Sequence, residues 1–278
     1  MNQQPPPTCS ELPLGQMVSY PEHYDATVLC AIARAQGREP LALPEPLPFQ
    51  GEDIWTAYEL SWLNSKGKPQ VALGELRVPC ESVNMVESKS LKLYFNSFNQ
   101  TRFNDWGEVQ QCVEQDLSVT AGMAVQFKLK SVQCCEEQAL AALPGQCIDD
   151  LDIAVADYAP NADRLQTIGH DIVEETLHSH LLKSNCRITS QPDWASVMIR
   201  YSGAKINRES LLRYIIGFRQ HDEFHEPCVE KMFTEILRVC QPEKLTVYAR
   251  YTRRGGLDIN PFRSNFEQAP DNLRLPRQ

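Results

Sequence analysis

Cys186 and Asp193 bracket the stretch Arg187-Ile188-Thr189-Ser190-Gln191-Pro192. A thiol and an acid on either side of a Pro-containing turn become neighbours if the flanking chain forms a hairpin. A thiolate attacks an electrophilic carbon and splits a hard reduction or transfer into easier steps. For this its pKa must fall from about 8.5, or a base must be near. A carboxyl kept protonated by burial can donate a proton to the atom on which charge develops. Burial beside Trp194 would favour that state of Asp193. The bland alternatives are a buried structural thiol and an ordinary Pro-Asp turn.

Three further stretches read as groups brought to that thiol. In Glu87-Ser88-Lys89-Ser90-Leu91-Lys92 and Phe224-His225-Glu226, Glu87 or Glu226 can accept two N–H bonds from the edge of a heterocycle. Otherwise Glu87 is a solvated helix position and Glu226 a charge favoured by a helix N-terminus. His225 can carry a proton near neutral pH, or simply start a helix. Phe224 can stack on a ring or fill the core. Lys89, Lys92, Arg253 and Arg254, in a basic run from Arg250, suit a phosphate, and Gly255-Gly256 lets backbone approach it. A solvated strand edge carries similar charge. No Gly-x-Gly-x-x-Gly follows a strand, so a Rossmann cofactor site is not indicated. His178 and His180 would share one face of a strand and could hold a metal, but no third ligand stands at a convincing spacing. No metal is therefore expected.

The composition is that of a soluble globular protein: 278 residues, 42% hydrophobic and 23% charged. The net charge of −9, from 27 basic and 36 acidic residues, argues against direct nucleic-acid binding but leaves room for a local basic site. No apolar run is long enough to span a bilayer. Met1–Pro7 lacks the basic and apolar regions of a signal peptide and reads as a frayed tail. There are ten cysteines but no Cys-x-x-Cys pair, and the adjacent Cys134 and Cys135 cannot easily bridge each other. All read as thiols of a reducing cytoplasm.

The positioning elements come as a repeat. Asp53-Ile54 with Ser61 and Leu63 matches Asp171-Ile172 with Ser179 and Leu181. Ser90-Leu91, Tyr94 and Phe98 match Ser210-Leu211, Tyr214 and Phe218, and Cys112-Val113-Glu114 matches Cys228-Val229-Glu230. The order is shared and the spacing drifts by only a few residues, which argues for two copies of one module. Each copy reads strand, strand, helix, helix, strand. In the first, these are 58–63, 71–78, 82–98, a helix from Trp106 to Leu117 capped at Asn104 or Asp105, and the alternating 125–130. In the second, they are 177–189, 195–201, a helix capped by Asn207, 226–240, and the alternating 245–251. Asn104 is the loose counterpart of His225. Residues 8–50 are Pro-rich and aperiodic, and 131–170 connect the copies with one extra strand. The expected organisation is an extension over 1–50, a first module over 51–165 and a second over 166–278. The expected class is α+β, an antiparallel sheet with helices on one face and a natural pocket between the modules.

Glu87-Ser88-Lys89-Ser90-Leu91-Lys92-Leu93-Tyr94, the Cys186-to-Asp193 spacing, Phe224-His225-Glu226 and Arg254-Gly255 resemble the NADPH-dependent nitrile reductases of queuosine biosynthesis, the 7-cyano-7-deazaguanine reductases, in their long two-module form. The resemblance runs from about residue 15 to the end. It implies two tandem tunnelling-fold modules and reduction of the nitrile to a primary amine with two NADPH as co-substrate. It gives Cys186 as the nucleophile, Asp193 as the acid and His225 as proton carrier. Val86, Glu87, Ser88, Phe224, His225 and Glu226 would hold the deazaguanine; Ser88, Lys89, Arg254 and Gly255 would hold NADPH. No metal or tRNA is implied, and a homodimer or larger homo-oligomer is. Two other readings compete: a metal-dependent pterin or purine cyclohydrolase of the same fold group, and a non-catalytic purine-binding module.

Overall fold

A computed structural model describes residues 20–133 and 139–278. The tail Met1–Pro7 and the Cys134-Cys135 pair lie outside the described residues. No disulfide joins the described cysteines. Among the described residues no helix is long and apolar enough to cross a membrane.

The chain forms two compact units. Of the described residues, the first comprises 20–37, 53–133, 139 and the short segment 253–258; the second comprises 38–52, 140–252 and 259–278.

In chain order, the first strands and helices are β1 Ala31–Ala33, α1 Arg34–Arg38, β2 Gln50–Leu63, β3 Pro69–Pro79, β4 Asn84–Val86, α2 Ser88–Ser97, α3 Trp106–Ala121 and β5 Gln126–Lys130. β5, β3 and β2 lie side by side, with β3 and β5 antiparallel from Leu73↔Lys130 to Arg77↔Gln126. β5 is an edge, and α3 covers it: Glu114 and Gln110 accept from the backbone N–H of Phe127 and Leu129 at 3.0 and 3.4 Å. The helix expected over 82–98 is shorter. Asn84–Val86 is extended because it pairs antiparallel with β1, Ala31↔Val86 to Ala33↔Asn84. Three-residue strands carry no readable periodicity, so the Pro-rich stretch before residue 50 concealed both β1 and α1. Arg34 is anchored by a buried ion pair with Asp53 at 2.6 Å and a bond to Ser82.

The remainder is β6 Gln146–Cys147, β7 Thr167–Asn185, β8 Pro192–Ile206, α4 Arg208–Ile216, α5 His225–Cys240, β9 Lys244–Tyr251 and β10 Leu257–Ser264. Strands β10, β9, β8, β7 and β6 adjoin in that order, all pairings antiparallel except β6 with β7. β7 and β8 run well beyond the expected 177–189 and 195–201 on the side away from their turn. β7 starts at Thr167 and breaks register between Thr167 and Ile172 and between Ser179 and Leu182. These irregularities interrupt the alternation from which strand length is read. The class is α+β, as expected. Its hydrophobic interior includes Leu91, Tyr94 and Leu117 in the first unit and Tyr214, Phe218 and Phe233 in the second, all at 0% exposure.

Candidate active site

β7 and β8 form the hairpin that the Cys-to-Asp spacing predicts. Asn185 pairs with Pro192 and Ser184 with Asp193. Beyond the last pair, the Cys186 N–H donates to Gln191 O at 2.8 Å and the Ser190 N–H to Cys186 O at 2.9 Å. Ser190 takes the left-handed conformation, φ 54°, that so tight a return demands. The register makes Cys186 and Asp193 diagonal neighbours across the ladder. Cys186 is 3% exposed and Asp193 6%.

The approach to α5 is stitched to the same end of the hairpin. The Asn185 N–H donates to His221 O at 2.8 Å, and the Glu223 N–H to Asn185 O at 3.0 Å. The residue before Cys186 thus fixes the loop that launches His225. At the first position of α5, His225 places Nε2 3.3 Å from Asp193 Oδ2. Its ring lies flat on Tyr251, with centroids 3.7 Å apart and an interplanar angle of 0°. Tyr251 ends β9, opposite Ala195. The other ring nitrogen, His225 Nδ1, is buried without a hydrogen-bond partner, as is Thr189 Oγ1 within the turn. Buried polar atoms of this kind are what a bound molecule or water would satisfy.

Trp194 does not bury Asp193, contrary to expectation. Successive strand residues face opposite ways; Trp194 is 37% exposed and lies under the guanidinium of Arg219. Asp193 is enclosed on its own face, which holds His225. Sequence reasoning missed Tyr251 and Cys228. Burial pushes the Cys228 thiol up to about 12; Tyr251 opposes the rise, and the charges of Glu223 and Asp193 add to it. That thiol stays protonated. Burial likewise drives the Tyr251 hydroxyl well above its ordinary range, with Cys228 beside it. The clean alternation ending β9 was the signal that could have placed Tyr251 on an inward face.

Phe224 is half-buried at the N-cap of α5, so it is not one of the fully buried core residues. Glu226 is buried in the first turn.

In the other unit, Val86 ends β4 and Glu87 caps α2. Glu87 is 1% exposed rather than solvated, and its two carboxylate oxygens accept from the Lys89 and Ser90 N–H groups at 2.8 and 2.6 Å. Burial raises its pKa, against the pull of those amides and of the Lys92 ammonium. Ser88 begins α2, and Lys89 Nζ reaches the Tyr20 hydroxyl at 3.2 Å. The 253–256 turn belongs to the same unit. Gly255 has φ 60°, and a Cβ there would lie 3.2 Å from Lys92 Nζ. A cation beside bare backbone is a fitting cradle for a phosphate. The Arg254 N–H donates to Leu257 O at 2.9 Å, and Arg253 lies 4.6 Å over the Tyr58 ring. Arg250, expected within this basic cluster, is not part of it. It is 2% exposed and binds Gln278, Tyr248 and Asn272, pinning the C-terminal segment.

The structure therefore gathers Cys186, Asp193, His225, Phe224 and Glu226 in one unit. Val86, Glu87, Ser88, Lys89, Arg254 and Gly255 belong to the other. Residues 20–129 match the family described as "Nitrile reductase, 7-cyano-7-deazaguanine-reductase N-term", and residues 192–270 match "QueF-like protein". Among solved structures, an archaeosine synthase QueF-Like in the apo form is similar at 16% identity and a TM-score of 0.31, covering 37% of this chain and all of that one. Both ends of the chain carry the two parts of one enzyme family, and the protein belongs to the nitrile reductases of the 7-cyano-7-deazaguanine reductase type, with two tandem tunnelling-fold modules.

Proposed function

We propose that this protein reduces the nitrile of 7-cyano-7-deazaguanine to the aminomethyl group of 7-aminomethyl-7-deazaguanine, consuming two NADPH, in the cytoplasmic pathway that makes queuosine. The observation that carries this reading is the junction of Cys186 with the Asp193–His225 pair, 3.3 Å apart and almost excluded from water.

Cys186 sulfur adds to the nitrile carbon, and the nitrogen takes a proton, giving a thioimide. Asp193 is the group on the hairpin face able to deliver that proton, and His225 restores it through Nε2. NADPH, when bound, supplies hydride to the resulting C=N carbon. Return of the electron pair to Cys186 sulfur releases an imine, which a second hydride and proton convert to the amine. The balance is one nitrile, two NADPH and two protons to one primary amine and two NADP⁺. Glu226, beside His225, is suited to the N–H edge of the base, and Glu87 is a second carboxylate able to accept such bonds. Lys89, Lys92 and the Arg254-Gly255 turn are suited to the cofactor phosphate.

Intact mass spectrometry of the protein mixed with 7-cyano-7-deazaguanine alone tests the first step. A mass gain equal to the nitrile, absent in Cys186→Ala, followed by NADPH oxidation when cofactor is added, is the expected result. A folded protein that gains no mass and oxidises no NADPH overturns the proposal.

A further inference from the structure

Cys147, His178 and His180 each present a ligand atom, all within 4.8 Å of one another. The sequence offers no third ligand because the pairing that supplies it is long-range: β6 runs parallel to β7 and sets Cys147 opposite His178. His178 and His180, two residues apart on β7, share the face that Cys147 reaches.

The surroundings are those of a site built to bind. His178 Nδ1 lies 3.0 Å from Pro144 O, a carbonyl that can only accept, so Nδ1 donates there and Nε2 is the ring atom left to face a ligand. His180 Nδ1 lies 2.7 Å from Ser196 Oγ, which also accepts from Arg277 at 3.3 Å. Each ring is thus held by a contact at Nδ1, which leaves Nε2 to meet an ion, as in metal-ligating imidazoles fixed by their other nitrogen. Asp149 fixes the backbone between the two rings, accepting from Ser179 Oγ at 2.6 Å and His180 N at 2.9 Å. The approach of Pro144-Gly145 to β7 leaves no room for a side chain: Gly145 has φ 86°, and a Cβ there would overlap Thr176 O.

We propose that Cys147, His178 and His180 bind one zinc-class divalent ion, with water in the fourth position. One thiolate and two imidazoles suit a borderline-soft tetrahedral ion. Tetrahedral zinc needs its ligand atoms about 3.3–3.6 Å apart, a small contraction that rotation of the exposed Cys147 and His180 side chains supplies. Binding exchanges the Cys147 S–H bond for a sulfur–metal bond and releases one proton to water. The ion would act as a staple. β6 has only two residues, its ladder to β7 covers only Gln146↔Leu177 and Cys147↔His178, and the site fastens it to the strand that leads to Cys186. This inference is independent of the proposed reduction.

The full-length protein, stripped with chelator, is titrated with Co²⁺ and then Zn²⁺ against a chromophoric indicator. The expected result is one ion per chain, a thiolate-to-cobalt charge-transfer band, and a thermal midpoint raised by Zn²⁺. Cys147→Ser removes the band and weakens binding at least tenfold, and His180→Asn weakens it similarly. Both positions are exposed, so the unliganded variants should melt like the parent protein. Cys186→Ala keeps the band and the midpoint shift. Absence of stoichiometric binding, binding undiminished in Cys147→Ser and His180→Asn, or loss of the band in Cys186→Ala would each overturn the site.

Discussion

The helix pairs α2–α3 and α4–α5 are two versions of one construction. Tyr94 on α2 donates to Asp116 on α3 at 2.6 Å, and Tyr214 on α4 donates to Glu235 on α5 at 2.6 Å. Tyr94 meets Phe98 edge-on at 5.0 Å, and Tyr214 meets Phe218 at 5.3 Å. Ser90 and Ser210 each return a hydroxyl bond to the cap residue's carbonyl, at 2.7 and 2.8 Å. Against that shared frame the differences stand out. Glu87 caps α2 where Asn207 caps α4. Phe224 stands without a cap bond where Asp105 caps α3, and His225 begins α5 where Trp106 begins α3. Cys186 follows the first long strand where Asn64 does, and Asn64 spends its side chain tying the Lys66 and Lys68 amides. Each departure falls on a residue that the family resemblance gives to substrate or chemistry. A repeat thus serves as an internal control: what both copies keep is architecture, and what one copy changes is a candidate for function.

The largest effect should come from making the second unit as inert as the first. Cys186→Ala is expected to lower turnover by about 10³-fold or more, whereas Cys228→Ala, at a thiol held protonated by burial, should still form the nitrile adduct. Adduct formation by Cys186→Ala would erase the contrast. His225→Asn should reduce kcat by about 10²–10⁴-fold, with adduct formation surviving longer than hydride consumption. A kcat unchanged in His225→Asn would remove His225 from the chemistry.

The tyrosine–acid pairs should separate next. Asp116 accepts from Tyr24 at 2.8 Å as well as from Tyr94, while Glu235 accepts from Tyr214 and Lys231. Asp116→Ala is expected to cost about 2–3 kcal/mol in denaturant unfolding and Glu235→Ala about 1–2. Equal costs would mean that the Tyr24 bond adds nothing.

Acid should weaken both units. Burial alone would raise Glu75, but the bonds from Lys130 and Arg77 hold it below its ordinary value; Tyr201 and Arg208 do the same for Glu175. A depressed folded-state pKa stabilises fully above the unfolded value of about 4.3 and is lost as pH falls through the folded value. Melting should therefore show Glu75→Gln and Glu175→Gln less stable than the parent at pH 6, with the gap closing below about pH 4. A gap that widens in acid would reverse the sign.

The smallest effect is at the caps. Asp105→Ala should cost about 1 kcal/mol. Phe224→Asp should recover a few tenths to 1 kcal/mol at α5 while lowering turnover. A variant both more stable and fully active would show that the missing cap has no functional cause.

Local signals were legible and long-range ones were not. The strands read over 125–130 and 245–251 and the cap at Asn207 depend on adjacent residues, and they appear, as 126–130, 244–251 and Asn207; of the two caps offered for α3, Asp105 is the one used, and the second strand is buried on both faces where alternation suggested one. Cys112-Val113-Glu114 misled. It begins at the seventh position of α3, whereas Cys228 is fourth in α5, so His225 corresponds to Trp106 rather than to Asn104. Residue identity aligned the copies there, but helix starts and the tyrosine–acid bonds set the true register. At the site, the Cys186–Asp193 hairpin was legible because it is local. The stitching of Asn185 to 221–223, the His225–Tyr251 stack and the meeting of Cys147 with two histidines were not, because each joins residues distant in sequence.

The segment 253–258 has a consequence for how the protein is made. Asp258 accepts from the Thr56 N–H at 3.2 Å and the Tyr58 hydroxyl at 2.6 Å, and the Tyr58 N–H donates to Gly256 O at 2.9 Å. These partners leave the ribosome some two hundred residues after the strand they complete, at translation speeds of about 5–20 residues per second. β2 must therefore wait for these partners, with water in their place, for most of the chain's synthesis. The unit that begins first cannot finish first, and a chain interrupted before Asp258 leaves behind an open strand for chaperones to guard.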